Sequence, residues 1–299
     1  MKYSCIISIL SLLLTLSSSA VEKLPATPGI ENLIRVDAGL YSGGEPHGAA
    51  AFDALQALGV RTLLSVDGMK PDVEAARARG MEYVHIPVGY DGIHASAAER
   101  IAAVMLTRPG PVYVHCHHGK HRGPAAAAIA LRCATNTPPS AATASELLRE
   151  AGTDPKYDGL FASVQDFHPP APAAVQAAAA TLVPVVASED LAASMARLSR
   201  HWDNLKEIKA AGWKAPADHP DLVPAREAVL ALEGLKESAR FEPKGGPDAD
   251  YRALMDRSLR GLEALERGLR SGFPAVAELA AAHAATSKSC ADCHKKFRD

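Results

Sequence analysis

The sequence changes its hydrophobic pattern once, near residue 187, and this change limits the folds open to the chain. Before that point, short β-prone runs such as residues 111–115 alternate with helix-like segments. Strands that alternate with helices indicate a largely parallel sheet with helices on both faces. After that point, apolar residues recur at spacings of four and three, as in Leu191, Met195 and Leu198, which is typical of amphipathic helices. The pattern therefore predicts an α/β domain followed by an all-α domain.

Breaks rich in proline divide the chain further. Residues 168–187 are rich in Pro and Ala and are predicted to be a linker. Beyond them, four helical segments with short connections favour an antiparallel four-helix bundle. We therefore predict a signal peptide at residues 1–20, an α/β domain with a parallel-type sheet flanked by helices at 21–167, the linker at 168–187, and the bundle at 188–299.

The first residues resemble a secretory signal. Lys2 precedes an apolar run over residues 5–16, and small residues follow at 17–20. The run has only about a dozen residues, which is short for a membrane anchor, the alternative interpretation. We predict a mature protein that is periplasmic or otherwise exported, with no membrane span after cleavage.

The charge balance excludes one class of function. The 32 Lys and Arg residues are nearly matched by 34 Asp and Glu residues, so the chain lacks the basic excess of a protein that binds nucleic acid through a broad surface. We therefore expect no nucleic-acid partner.

A C-x-x-C-H motif lies close to the C-terminus, at Cys290, Cys293 and His294. This spacing is typical of c-type haem attachment, in which two thiols form thioethers and the histidine binds the iron. On a helix, positions i, i+3 and i+4 share one face. The alternatives are a disulfide or half of a zinc site, but no second cysteine pair is present for zinc. The motif predicts one covalent haem c.

The position of this motif on the last predicted helix, followed by residues 295–298, resembles the cytochrome c′ and cytochrome c556 family over residues 188–299. The resemblance implies His294 as the proximal iron ligand and, in six-coordinate members, a methionine from the first helix. Met195 is then the candidate sixth ligand, although simple packing in the core explains it equally well. His201 and His283 are weaker candidates. The family also implies electron transfer or gas binding, a redox partner protein, and pairing of two copies through the bundle.

A second motif, H-C-x5-R at residues 115–122, lies between a strong strand and an Ala-rich helix. Backbone N–H groups at a helix N-terminus cradle anions and favour a thiolate at Cys116, and Arg122 offers two-pronged contact with phosphate. The candidate phosphate-binding residues are His117, His118, Gly119, Lys120, His121 and Arg122. The alternative is a metal-binding histidine cluster, but adjacent histidines cannot share one face of a regular element.

The loop and the segments 37–46, 58–67 and 83–92 resemble the dual-specificity subgroup of protein tyrosine phosphatases over residues 30–165. The resemblance implies that Cys116 forms a thiophosphate with a phosphorylated small molecule or phosphoprotein. It also implies that Asp91 is the general acid, with Asp67 and Asp72 as alternatives. Asp72 begins a predicted helix and is better explained as a helix-terminal acid.

One departure from that family affects the expected activity. Gly123 stands where the family has Ser or Thr, whose hydroxyl helps the phosphocysteine break down. The difference predicts slow turnover, or a site that binds more than it hydrolyses. Two further hypotheses therefore stay open: a cytochrome whose first domain only binds an oxyanion, and thiol or persulfide redox chemistry at Cys116.

Overall fold

The structure is a computed structural model that describes residues 21–134, 138–186, 190–243, 245–272 and 275–297. The predicted signal peptide, residues 1–20, lies outside the described residues. Within the described part of the chain, no helix is both long and apolar enough to cross a bilayer.

Six strands form one mixed sheet in the order β1-β2-β3-β6-β4-β5. The strands are β1 (Glu22–Lys23), β2 (Ile34–Asp37), β3 (Leu40–Gly43), β4 (Thr62–Ser65), β5 (Glu82–His85) and β6 (Val112–His115). The four strands β3, β6, β4 and β5 are parallel, as the alternating pattern predicts. β1 and β2 add an antiparallel edge, because residues 38–39 join β2 to β3 in a connection too short for a parallel crossover.

Within the described residues, seven helices accompany this sheet. They are α1 (Gly48–Ala57), α2 (Val73–Arg77), α3 (Ala95–Thr107), α4 (Arg122–Ala134), α5 (Ala141–Glu150), α6 (Asp158–Gln165) and α7 (Pro172–Ala179). The first nine residues of α4, 122–130, are all buried, and small alanine side chains let this helix approach β3 and β6 closely. Helix α4 is therefore the central helix that fixes the loop after β6.

The segment 168–187, predicted as a linker, is largely part of the first core. Helix α7 packs against α3, and Val175, Ala178 and Leu182 are buried in the same hydrophobic cluster as the sheet. The backbone N–H of His85 also donates to the carbonyl of Val183 at 3.0 Å. Alanine is the strongest helix former and proline is favoured at the first helical position, so this composition gives a short helix rather than an extended connection.

Four longer helices follow, as the sequence predicts: α8 (Leu191–Ala210), α9 (Pro224–Ser238), α10 (Ala249–Arg270) and α11 (Val276–Phe297). They enclose a second hydrophobic cluster. Helices α8 and α9 run antiparallel, because Ser194 contacts Ser238 at 2.8 Å while His201 contacts Glu227 at 2.9 Å. Helices α10 and α11 also run antiparallel, because the Ser289 hydroxyl, near the end of α11, donates to the Leu254 carbonyl near the start of α10.

Helix α9 lies against the sheet domain. Val229 packs into the first hydrophobic cluster, and the Tyr157 hydroxyl donates to Glu233 at 3.0 Å. Arg226 forms an exposed ion pair with Asp158 at 2.7 Å. These contacts bring the C-terminal end of α9 to the loop between β6 and α4.

Candidate functional site

The loop at residues 116–121 connects two buried elements. Every residue of β6 is buried, and α4 begins at Arg122 directly after the loop. Gly119 has a φ of 67°, and a Cβ there would lie 2.2 Å from the carbonyl carbon of Gly43. Only glycine fits this left-handed conformation and this close approach, so the loop lies tightly against the end of β3.

Cys116 and Arg122 are both buried at the two ends of the loop. Cys116 is a free thiol with 3% of its surface exposed, and Arg122 is 2% exposed. A Cβ added at Gly123 would lie 3.3 Å from the sulfur of Cys116. A serine at this position would therefore place its side chain beside the sulfur, and glycine leaves that side of the thiol without a hydroxyl.

The guanidinium of Arg122 already binds an anion. Its Nη2 lies 2.7 Å from the Glu237 carboxylate, which comes from α9, and 3.8 Å from Asp67. The ring of Tyr90 covers its Cζ at 4.3 Å. Burial alone would lower the pKa of Arg122, but Tyr90, Glu237 and Asp67 together raise it. Arg122 is therefore a permanent cation with a carboxylate in contact.

Arg240, just beyond α9, completes this charge cluster. Its Nη1 lies 2.8 Å from Asp67 and 3.0 Å from Glu237. Burial favours the neutral form of Asp67, but Arg122 and Arg240 outweigh it and hold the Asp67 pKa well below its usual range. Asp67 is therefore held as an anion in this arrangement, which suits a structural counter-ion better than a proton donor.

Asp91 lies on the loop after β5, one residue beyond Tyr90. Its carboxylate is half-exposed, pairs with His94 at 3.3 Å and folds back over Gly89. Tyr90 of this loop contacts Arg122. The Asp91 carboxylate instead points towards His94 at the start of α3 and away from Arg122. Asp72 caps α2 by accepting from the backbone N–H of Ala75 at 3.0 Å, which agrees with its interpretation as a helix-terminal acid.

The remaining candidate phosphate-binding side chains make other contacts. His117 lies 3.5 Å from Glu45, and His118 pairs with Glu31 at 3.1 Å. His121 packs on Tyr157 with ring centroids 4.4 Å apart. Lys120 is exposed. Burial lowers the pKa of His121 to about 4, so this imidazole is neutral. An anion would therefore be bound by the backbone of the loop and by Arg122. The histidines of the loop instead contact neighbouring elements.

His115 supports the start of the loop from below. Its Nε2 lies 2.5 Å from the Tyr83 hydroxyl, and both side chains are buried. Burial lowers the pKa of His115 to about 4. A neutral imidazole paired with a phenol fixes the end of β6 without adding charge beneath Cys116.

The C-x-x-C-H residues lie on the last turns of α11. Cys290 and Cys293 are free thiols, Cys293 is buried in the second cluster, and His294 is exposed beside it. The Tyr251 hydroxyl, electrostatically coupled to Cys293, is buried without a hydrogen-bond partner among the described residues. Two thiols outside any disulfide, a neighbouring imidazole and a buried hydroxyl without a hydrogen-bond partner fit a covalently bound haem with polar substituents.

The candidate distal residues differ in their surroundings. Met195 is partly buried against the cluster that contains Cys293. His201 is engaged with Glu227 at 2.9 Å. His283 stacks on Trp202 with ring centroids 4.6 Å apart, and its Nε2 is buried without a partner among the described residues.

Sequence reasoning missed Glu237 and Arg240, which lie more than a hundred residues from the Arg122 and Asp67 side chains that they contact. Glu237 lies in the last turn of α9 beside Lys236, and Arg240 follows just after the helix. No local signal distinguishes them. Only the packing of α9 on the sheet domain brings them to the site.

Comparisons with known proteins gave structural similarities only. No family model matches the chain, and no curated protein is similar enough to count as a match. A Cys-to-Ser variant of P. aeruginosa TpbA in complex with phosphotyrosine is 22% identical, with a TM-score of 0.40, and the match covers 56% of this chain and 99% of TpbA. A DUF442 candidate phosphatase from Shewanella putrefaciens CN-32 is 28% identical, with a TM-score of 0.35, over 46% of this chain and 90% of its own. The function proposed below rests on the loop geometry.

Proposed function

We propose that this chain hydrolyses phosphate monoesters through Cys116 and carries one covalent haem c on α11. The observation that carries the hydrolytic part is the contact of Arg122 with a carboxylate at 2.7 Å. Carboxylate and phosphate both offer a guanidinium two acceptor oxygens, so a group that holds one can hold the other. The anion site lies at the N-terminus of α4, next to a buried free thiol.

The proposed reaction has two steps. The phosphoryl group of the substrate replaces Glu237 on Arg122, and the thiolate of Cys116 attacks phosphorus. A P–S bond forms while the ester P–O bond breaks, and Asp91, after its side chain turns from His94 towards the anion site, gives its proton to the leaving oxygen. Water then attacks phosphorus, the P–S bond breaks, and Asp91 takes the proton of the water. Phosphate leaves and the thiolate is restored.

Gly123 makes the second step the slow one in this scheme. The side of Cys116 that a serine or threonine hydroxyl would cover carries only a hydrogen atom on the Cα of Gly123. We therefore expect phosphocysteine to accumulate during turnover. Thiol or persulfide redox chemistry at the same cysteine is the competing hypothesis, and it predicts no release of phosphate.

Replacing Asp91 with Ala separates the proton-donor role from the rest of the site. General acid catalysis contributes about 10²- to 10⁴-fold, so kcat/KM, which reports the first step, should fall by that factor for an alkyl phosphate. The loss should be small for p-nitrophenyl phosphate, because nitrophenolate leaves without a proton. Steady-state assays of both substrates, with the thiol kept reduced, measure the difference.

The same pair of assays tests the alternative acid. If Asp67→Asn shows the dependence on the leaving group and Asp91→Ala loses equally on both substrates, the role belongs to Asp67. If the unmodified chain turns over neither substrate, the phosphatase proposal is wrong and the oxyanion-binding hypothesis is favoured.

The haem part of the proposal uses residues of α8, α10 and α11. Cys290 and Cys293 would hold the haem by thioethers and His294 would bind its iron, which supplies redox or gas-binding chemistry. Trp202 of α8 stacks on His283 of α11. Met195 is partly buried against the hydrophobic cluster that contains Cys293, which supports Met195 as the sixth ligand. We expect export, and a redox protein as partner.

We further propose that the helical domain controls access to the anion site. Glu237 and Arg240 belong to the helical part of the chain, yet they contact Arg122 and Asp67 of the sheet domain. While Glu237 occupies Arg122, a substrate phosphoryl group has to displace it. Any state of the haem domain that withdraws α9 would therefore expose the site.

Replacing Glu237 with Gln should increase substrate affinity. Hydrogen bonds to charged groups contribute about 1.5–3 kcal/mol, so loss of the competing anion should lower KM for p-nitrophenyl phosphate by about 10- to 100-fold. Arg122 keeps its contacts with Asp67 and Tyr90 in this variant. Steady-state kinetics of the full, haem-loaded chain measure the change.

The matched control is Asp158→Asn, which removes the exposed ion pair with Arg226 between the same two parts of the chain. That variant weakens the contact between the domains without touching Arg122, so its KM should stay close to that of the unmodified chain. An unchanged KM in Glu237→Gln, or an equal fall in both variants, would contradict direct occupation of the anion site by Glu237.

A further inference from the structure

A carboxylate and two imidazoles converge beside the anion loop. They are Glu45 and His47, from the connection between β3 and α1, and His117, from the loop itself. The Oε2 of Glu45 lies 3.5 Å from Nδ1 of His117 and 4.0 Å from Nε2 of His47. One donor atom from each residue lies within 4.8 Å of the other two.

The backbone holds the two loops in register. The N–H of Glu45 donates to the carbonyl of His117 at 2.9 Å, and the N–H of His47 donates to the carbonyl of Gly29 at 2.8 Å. Gly119 packs directly on Gly43. The two segments therefore cannot slide apart without breaking main-chain hydrogen bonds, and the three side chains start from a fixed framework.

The polar atoms of the cluster are incompletely satisfied. Nδ1 of His117 is buried and has no hydrogen-bond partner among the described residues. The 3.5 Å and 4.0 Å separations from Glu45 are longer than hydrogen bonds. Buried polar groups are normally paired, so an unpaired imidazole nitrogen facing a carboxylate needs an explanation. A small cation between the three donors would satisfy all of them.

We propose that Glu45, His47 and His117 bind one divalent transition-metal ion. Two imidazoles and one carboxylate form the donor set that suits zinc and neighbouring first-row metals, and it leaves coordination positions open for water or an anion. Donor atoms around one tetrahedral zinc ion lie about 3.3 Å apart, so these side chains, now within 4.8 Å of one another, would reach such an ion by rotamer shifts of about an ångström.

The ion would also affect the charge cluster. Arg240 lies 3.6 Å from the same Oε2 of Glu45 that faces the two histidines. A bound cation would compete with Arg240 for this oxygen and leave Arg240 to Asp67 and Glu237. The proposed site therefore stands next to, but does not depend on, the phosphatase chemistry of Cys116.

Equilibrium dialysis of the haem-loaded chain against Zn²⁺ alone, with zinc and iron counted by mass spectrometry, tests the site. We expect one zinc per chain in addition to the haem iron. His47→Ala and Glu45→Gln should each weaken zinc binding by about 100-fold or more, since loss of supporting groups alone costs 10- to 100-fold. His47 makes no side-chain capping hydrogen bond to α1, so its replacement should leave the fold intact.

The matched control is His118→Ala, which removes an exposed neighbouring imidazole that pairs with Glu31. Zinc binding should persist in this variant. The proposal is wrong if the unmodified chain binds no zinc, or if His118→Ala lowers affinity as much as His47→Ala. It is also wrong if Cys116→Ser removes binding while His47→Ala does not, because the thiol would then be the ligand. Zinc counts do not depend on turnover, so failure of this site and failure of the phosphatase proposal are distinguishable.

Discussion

Cys116→Ser should abolish phosphate release while leaving oxyanion binding in place. The sulfur is the proposed nucleophile, and removing a nucleophile costs on the order of 10⁴-fold or more in kcat. The anion cradle should remain, because the backbone of the loop and the guanidinium of Arg122 are unchanged. Turnover of p-nitrophenyl phosphate measures the first effect, and calorimetric titration with tungstate measures the second.

Two variants make this result specific. Cys133→Ser removes another thiol of α4, in a partly buried position away from the loop, and should keep its activity. Arg122→Lys should differ from Cys116→Ser in that tungstate binding itself falls sharply, because an ammonium cannot form the two-pronged contact. Normal turnover by Cys116→Ser would exclude a thiophosphate mechanism.

The anion loop was predictable because its main determinants are local. A buried strand, a glycine with positive φ and a helix that starts at the arginine are consecutive in the chain, so their geometry follows from the sequence of residues 112–123. The glycine-for-hydroxyl difference at residue 123 could also be noted in advance. The structure then adds that a Cβ there would approach the Cys116 sulfur.

The charge cluster around Arg122 was not predictable, because it depends on packing between distant segments. Glu237 is separated from Arg122 by 115 positions, and Arg240 is separated from Asp67 by 173. Each is an ordinary polar residue in its own helix or turn. For the same reason, His117 was predicted to bind phosphate, and its approach to Glu45 was not predicted.

Two local assignments erred for physical reasons that can be stated. The Pro/Ala-rich segment at residues 168–187 was interpreted as a linker, but its alanines form α7 and its apolar residues bury against α3. The first strands were included in a parallel-type sheet, but residues 38–39 join β2 and β3 too tightly for a crossover. In the first case, the Pro/Ala-rich composition indicated a connection where a short helix forms. In the second, the strand pattern did not reveal the tight turn between β2 and β3.

The double variant Cys290→Ser with Cys293→Ser should lose all covalent haem. The thioethers are the only bonds that would resist acid–acetone extraction, and both thiols are free in the structure. The chain has to be produced with residues 1–20, the predicted export signal, in a host that attaches haem outside the cytoplasm. Extraction followed by the pyridine haemochrome spectrum gives the covalent haem per chain, expected to be one for the unmodified protein and none for the variant.

Single variants keep this test decisive if the double variant fails to fold. Cys290→Ser leaves one thioether through Cys293, so haem should stay attached, with its reduced absorption band shifted towards that of a haem with one unmodified vinyl group. Cys116→Ser, which should remove hydrolysis, should carry a full complement of haem, because it lies in the other domain. Covalent haem in the double variant would contradict the assignment of the motif. So would a Cys116→Ser variant without haem, since the two chemistries would then not reside on separate parts of the chain.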